Sequence, residues 1–135
     1  SEDDIFDDLI HETSHSIEEP YGMEIYGDGK LEKEFLRKRS HLYDILWSKE
    51  YKIPKAVFLD SEYNEELDMF LYHDIGYEKL SSMISGLFIN AYAPTSLREY
   101  FATGFTDFYL NSDRSFLKMI SPELYEKLLN IDQLK

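Results

Sequence analysis

The chain has 135 residues, a formal net charge of −13 and no cysteine. Its length fits one domain with one core, and 43% apolar residues with eleven Tyr and nine Phe are too many for a disordered tail. The charge argues against nucleic-acid binding, which needs clustered Lys and Arg. The missing cysteines exclude disulfides and thiolate metal sites. No apolar run is long enough to span a bilayer.

The first part of the chain is predicted to form two long helices. Apolar residues at helical spacing predict one helix over residues 3–19, ended by Pro20, and another over 30–48. The sequence YGDG, residues 26–29, predicts a turn between them.

The middle of the chain is predicted to be mostly helical, with at most one short strand. KAVFLD, residues 55–60, follows Pro54 and is expected to form a short strand or an extended segment. Two shorter helices are expected at about 62–74 and 77–88, broken by Gly76.

The last part of the chain is predicted to be a loop and two helices. NAYAP, residues 90–94, is a predicted loop because a residue before proline avoids helical dihedrals. TSLREYFATGFTDFYL reads as a helix that opens with Ser96 and Glu99 at capping-box spacing. SPELYEKLLNI is the predicted final helix, with Ser121 as its cap and Pro122 in its first turn.

The sequence HETSH, residues 11–15, matches the H-E-x-x-H motif. Residues four apart stack on one face of a helix, so His11 and His15 can reach a single metal ion. Glu12 lies further round the helix, where it can hold a water molecule beside that ion.

The helical wheel places the apolar residues of the first helix on one side. Phe6, Leu9, Ile10 and Ile17 cluster there, and the two histidines point roughly the opposite way. A metal site and a solvated polar face are the two interpretations that remain open for this pair.

A catalytic zinc ion needs a third protein ligand, and the sequence offers many acids. Glu99 stands out because it lies on a helix whose other positions are apolar and expected to be buried, namely Phe101, Ala102, Phe105 and Phe108. A buried carboxylate needs a partner, and a zinc ion would supply one.

The segments HETSHSIE and EYFATGF together resemble the catalytic domain of the anthrax lethal-factor-like zinc peptidases, which include the secreted Pro-Pro endopeptidases. In that family a second helix carries a Glu followed by two aromatic residues and Ala, as at 99–102. A Tyr stands seven residues before that Glu, which is the position of Tyr92 here. The late segment SPELYEKLL is also similar to the closing segment of the family.

The resemblance implies a zinc site whose ligands are His11, His15 and Glu99. It also implies that Glu12 is the general base and that Tyr92 donates a hydrogen bond to the developing oxyanion. Glu18 would be an acid that orients a ligand, with an ordinary surface charge as the alternative. His41 and His73 match nothing in the family and are interpreted as structural or surface residues.

The chain also departs from the family pattern. Ser14 replaces a usual Gly, and Thr103 stands where the family often has an acid. Residues 49–90 are interpreted as an inserted helical segment within one metallopeptidase-like domain. The expected fold class is mainly α, a zincin-like catalytic core. The sheet that aligns substrate in such enzymes is expected to lie upstream of this chain or to be absent.

Two functions follow from these observations. The first is a zinc-dependent endopeptidase with a peptide or protein substrate. The alternative is a non-catalytic helical structural or interaction domain of a larger assembly, such as a toxin or a virion component, derived from a peptidase. We expect no nucleic-acid partner and no membrane span, and a secreted or virion-associated location rather than a cytoplasmic one.

Overall fold

A computed structural model describes the backbone of residues 2–134 and the side chains of residues 8–134. The α-helices are α1 (Glu2–Glu18), α2 (Gly22–Tyr26), α3 (Lys30–Ser48), α4 (Lys55–Phe58), α5 (Glu65–Met69), α6 (Tyr77–Met83), α7 (Leu97–Leu110), α8 (Ser115–Ile120) and α9 (Pro122–Leu134). A π-helix at Phe70–Ile75 continues α5, and a 3₁₀ turn at Ala93–Thr95 precedes α7. Residues 2–134 contain no strand, so the chain is mainly α as expected. No helix in this range is both long and apolar enough to cross a membrane.

Helix α7 lies at the centre of the fold. It packs against α1, α3, α8 and α9, and most of its length is buried, as is typical of a helix with neighbours on several sides. Its buried residues are Leu97, Tyr100, Phe101, Ala102, Thr103, Gly104, Phe105 and Phe108. The predicted burial of the residues around Glu99 is therefore confirmed. Glu99 itself is only partly buried, with 30% of its side chain exposed.

Helix α3 has the bounds that the apolar pattern predicts. Leu31, Phe35, Leu42 and Leu46 are fully buried and form one stripe along it. The start of α7 is also as predicted, because the Ser96 side chain accepts a hydrogen bond from the Glu99 N–H at 3.1 Å.

The predicted strand or extended segment at 55–60 is wrong. Residues 55–58 form the helical turn α4, in which the Val57 N–H donates to the Pro54 carbonyl at 3.2 Å. No strand within residues 2–134 is available to pair with this segment, so local turns satisfy part of its backbone. Proline before a helical turn favours that geometry.

The two helices expected at about 62–74 and 77–88 are real but differ in detail. Asn64 caps α5 by accepting from the Leu67 N–H, and the segment then widens into the π-helix before Gly76. Gly76 breaks the helix as predicted, with φ at 87° in the left-handed region. The next helix, α6, ends at Met83, earlier than expected. The short helices α2 and α8 were not predicted.

The buried face of α1 agrees only in part with the one that the apolar pattern predicted. Leu9 is 62% exposed, whereas Ser14 is fully buried and Glu18 nearly so. Ile10 and Ile17 are partly buried, and the side chain of Phe6 lies outside the described residues. Because α1 packs on α7, the histidine side of α1 turns towards the protein and not away from it.

The prediction that Ser121 caps α9 is wrong. The N-terminus of α9 is capped by a residue of another helix. The N–H groups of Glu123 and Leu124 donate to the carboxylate of Glu34 on α3, at 2.7 and 3.4 Å. The Ser121 hydroxyl instead contacts Lys38 and Tyr100. A carboxylate at a helix N-terminus is favoured by the helix dipole. Glu34, which is distant in sequence, therefore replaces a local capping residue.

Candidate metal centre

Helices α1 and α7 bring His11, His15 and Glu99 together. Nε2 of His11 lies 3.1 Å from Oε2 of Glu99, and Nε2 of His15 lies 3.6 Å from Oε1 of the same residue. One donor atom from each of the three side chains lies within 4.8 Å of the other two. All three are partly exposed. The convergence that the metal hypothesis requires is therefore present.

The donor set and its spacing fit a transition metal ion. Two ligands bonded at about 2.1 Å to a tetrahedral zinc ion lie about 3.4 Å from each other. The separations of 3.1 and 3.6 Å that join Glu99 to the histidines bracket that value. Two imidazoles and a carboxylate are also a known ligand set for catalytic zinc, with a position left for water or substrate.

Glu18 is hydrogen-bonded to the Nδ1 side of the His15 ring. Its Oε1 lies 2.7 Å from Nδ1 of His15. A carboxylate only accepts hydrogen bonds, so Nδ1 carries a proton and donates in this contact, and in the neutral form of the ring Nε2 is the nitrogen that can bind a metal ion. Glu18 is almost fully buried. The structure thus brings Glu18 to the position in which the family resemblance expects it.

The other oxygen of Glu18 receives two more donors. The Tyr26 hydroxyl donates to Oε2 at 2.6 Å, and Arg98 Nε lies 3.3 Å from the same oxygen. Burial and the nearby Glu18 charge raise the pKa of Tyr26 well above its usual range, so Tyr26 keeps its proton and donates it.

The three converging side chains open onto a groove of about 1180 Å³. Tyr92 lies on its wall with 55% of the residue exposed. The Tyr92 ring contacts the ring of Tyr77, with 4.9 Å between ring centroids. Tyr92 is therefore held on the groove that the two histidines and Glu99 also line, and its side chain is accessible from solvent.

The predicted insertion at 49–90 supplies one wall of this groove. Tyr63 and Tyr77 both donate to Asp68, at 2.8 and 3.4 Å. Burial, with Asp68 close by, raises the pKa of Tyr77 to about 12. Asp107 lies on the α7 side of the groove, where burial raises the pKa of its carboxyl group.

The other residues that the sequence singled out are not members of the cluster formed by His11, His15 and Glu99. Glu12 follows His11 on α1, but it is exposed and the groove wall is formed by other residues. His41 and His73 are both exposed and belong to no cluster of potential ligands within the described part of the chain. Thr103 is buried and lines the groove, where the family often has an acid.

Arg39 supports the loop before α7 from the core, and it was not identified from the sequence. It is fully buried, and its guanidinium donates to the carbonyls of Phe58, Asp60 and Thr95 at 3.0 to 3.1 Å and also to that of Pro94. It thereby ties the loop that leads into α7 to the chain after α4. Its spacing from Phe35 and Leu42 places it inside the apolar stripe of α3, which is the signal that could have revealed it.

Tyr26 was missed for a different reason. It is the last residue of α2, a five-residue helix that was not predicted, and the first residue of the turn predicted at 26–29. Its contact with Glu18 joins residues eight apart across a chain reversal, and no helical or strand period predicts such a pair.

Comparison with protein-family models, with curated proteins and with solved structures found no match for this chain.

Proposed function

We propose that this chain is the catalytic core of a zinc-dependent endopeptidase similar to the lethal-factor-like peptidases. The observation that carries the proposal is that the side chains of His11, His15 and Glu99 converge. The glutamate lies on a different helix from the histidines and at least 84 residues further along the chain. A chance H-E-x-x-H sequence on a polar face has no reason to meet a partly buried acid at ligand spacing. The contact between Glu18 and His15 adds to this support, because metal-bound histidines usually donate their second nitrogen to an acceptor.

His11, His15 and Glu99 would hold the zinc ion. When bound, zinc lowers the pKa of a water molecule towards neutrality and polarises a peptide carbonyl. Glu12 accepts the proton of the attacking water and passes it to the leaving amine. Tyr92 donates a hydrogen bond to the carbonyl oxygen as negative charge develops there.

A second function is favoured by one specific observation. Residues 2–134 contain no strand, so the described chain offers no sheet edge along which a peptide could align. A non-catalytic helical domain that binds a metal ion within a larger assembly, such as a toxin or a virion, is consistent with this. The two functions share the metal site and differ in the role of Glu12.

The test compares peptide cleavage by the zinc-loaded parent with cleavage by its Glu12→Gln variant. We expect the parent to cleave members of a peptide library, and Glu12→Gln to lose at least about a hundredfold in rate while it still binds zinc. Glu19→Gln is the matched control, because Glu19 is an exposed acid just beyond the end of the same helix. Equal cleavage by parent and Glu12→Gln would show that Glu12 is not the base. A parent that binds zinc but cleaves nothing favours the second function.

A further inference from the structure

The carboxylate of Glu18 is a meeting point of three donors. Oε1 accepts a hydrogen bond from Nδ1 of His15, and Oε2 accepts hydrogen bonds from the Tyr26 hydroxyl and Arg98 Nε. These donors come from α1, α2 and α7. Because both other donors occupy Oε2, the orientation of the carboxylate leaves Oε1 for the histidine.

Tyr26 and Arg98 do not hold Glu18 equally. The Tyr26 hydroxyl is 2.6 Å from Oε2, whereas Arg98 Nε is 3.3 Å away on a side chain that is 65% exposed. Exposed ion pairs are screened by water and contribute little. The Tyr26 ring is also packed 6.3 Å from the ring of Phe101, two residues after Glu99 on α7. Tyr26 is therefore the better-fixed of the two partners.

We propose that Tyr26 is a positioning residue of the metal site and that it acts through Glu18. Its hydroxyl orients the carboxylate so that Oε1 accepts a hydrogen bond from Nδ1–H of His15. This hydrogen bond directs Nε2 of the same ring towards Glu99. Without this hydroxyl, Glu18 can rotate towards Arg98 and release His15. The proposal rests on the proposed metal site for its consequence, but the orientation of the His15 ring can be measured without metal.

The first measurement is the tautomer of His15 in the metal-free protein, read from the nitrogen chemical shifts of its imidazole ring. We expect the parent to carry the proton on Nδ1, and Tyr26→Phe to show a mixture with the Nε2-protonated form. Glu18→Gln should shift the population at least as far. Tyr109→Phe is the matched control, because it removes a phenol–carboxylate hydrogen bond of 2.7 Å to Asp132 away from the groove.

The second measurement is zinc affinity by competition with a chromogenic chelator. Loss of a group that orients a metal ligand weakens binding about 10- to 100-fold, and we expect about tenfold for Tyr26→Phe and no change for Tyr109→Phe. Because Tyr26 acts through Glu18, adding Tyr26→Phe to Glu18→Gln should cause no further loss. A merely structural role for Tyr26 predicts that the two losses add.

The outcomes separate this inference from the proposed function. If the parent binds no zinc, the metal site is wrong, and the tautomer measurement still decides whether Tyr26 orients His15. If the parent binds zinc and Tyr26→Phe matches it in both tautomer and affinity, the role of Tyr26 is wrong and the metal site stands. If Tyr26→Phe does not fold, Glu18→Gln decides, since an unchanged tautomer and affinity there would also overturn the inference.

Discussion

Neighbouring residues of α7 enter two polar clusters that differ in one instructive way. Tyr100 belongs to a core cluster in which its hydroxyl donates to Glu34 at 2.6 Å and contacts Ser121, which also receives Lys38 at 2.6 Å. All four residues of this core cluster are buried. Each buried side-chain nitrogen and oxygen atom of these four residues has at least one hydrogen-bond partner, which is how polar groups are tolerated in a protein interior.

Glu99, one residue earlier, belongs to the candidate metal cluster with His11 and His15. These side chains are only partly buried, they border a groove, and their donor atoms converge on one another. The polar groups of the core cluster are paired with one another, whereas the candidate metal cluster has the composition and spacing to hold an ion. The comparison shows that adjacent residues of one central helix can lie in a closed polar network and on an open groove.

The largest expected effect comes from breaking the core cluster at Glu34. Glu34→Ala leaves the Tyr100 hydroxyl and the Glu123 and Leu124 N–H groups without their acceptor. We expect a loss of about 3–5 kcal/mol in the free energy of unfolding, measured by urea denaturation of the metal-free protein. Zinc affinity of the protein that remains folded should be unchanged. A large change in affinity would mean that the two clusters are not separate.

The converse change removes a proposed metal ligand. We expect His11→Ala to weaken zinc binding by at least about a hundredfold, beyond the usual effect of residues that only orient a ligand. The unfolding free energy of the metal-free protein should change by less than about 1 kcal/mol, because the site is partly exposed. His73→Ala is the control, since His73 is exposed and apart from the groove. Equal loss of zinc in both variants would contradict the assignment.

The face of α7 that packs on α9 should be less tolerant of added volume than an open position. A Cβ at Gly104 would collide with the side chain of Leu124, whereas a Cβ at Gly22 meets nothing within 4 Å. We expect Gly104→Ala to lower the melting temperature, with a loss of about 1–3 kcal/mol from overpacking. Gly22→Ala should be neutral or slightly stabilising. Similar melting temperatures for the two variants would show that α9 can move away from α7.

The smallest effect is a pH dependence that belongs to the core cluster. Burial lowers the pKa of Lys38 from 10.5 to about 8, with Glu34 opposing the shift and Arg37 adding to it. Above pH 8 the unfolded chain therefore binds more protons at this residue than the folded protein does. The contribution of Lys38 to stability should rise by about 1 kcal/mol per pH unit above pH 8. Tyrosines with raised pKa values act in the opposite direction and offset this rise as the pH approaches 10. They include Tyr26, Tyr77, Tyr100 and Tyr109.

Lys38→Met is the variant that checks this assignment. It keeps the length and apolar body of the side chain and removes the titrating amine, so the rise between pH 8 and 10 should flatten. A rise of the same slope in Lys38→Met would assign it to another group. Chemical denaturation at several pH values measures both proteins.

Local patterns of sequence predicted the elements that depend on local interactions. The bounds of α3 and the Ser96 cap of α7 follow from apolar spacing and from hydrogen bonds within one turn. The buried face of α1 could not be predicted in this way, because it depends on which side meets α7. Ser14 is small enough to be enclosed there, and Leu9 is left exposed.

The candidate site was predictable to the extent that it lies in motifs. His11, His15 and Glu99 were nominated by spacing and resemblance, and the fold brings them together. Tyr26 and Arg39 were not, because each acts on groups that the chain brings near only by folding. Arg39 donates to backbone carbonyls 18 or more residues away. Because every residue has a backbone carbonyl, the sequence does not indicate which ones accept.

The most direct test of the central claim is the position of zinc in a crystal of the zinc-loaded protein, located by anomalous scattering at the zinc absorption edge. We predict one strong peak at about 2.1 Å from Nε2 of His11, Nε2 of His15 and a carboxylate oxygen of Glu99. A peak bound by other residues, or no peak between these three side chains at saturating zinc, would contradict the account.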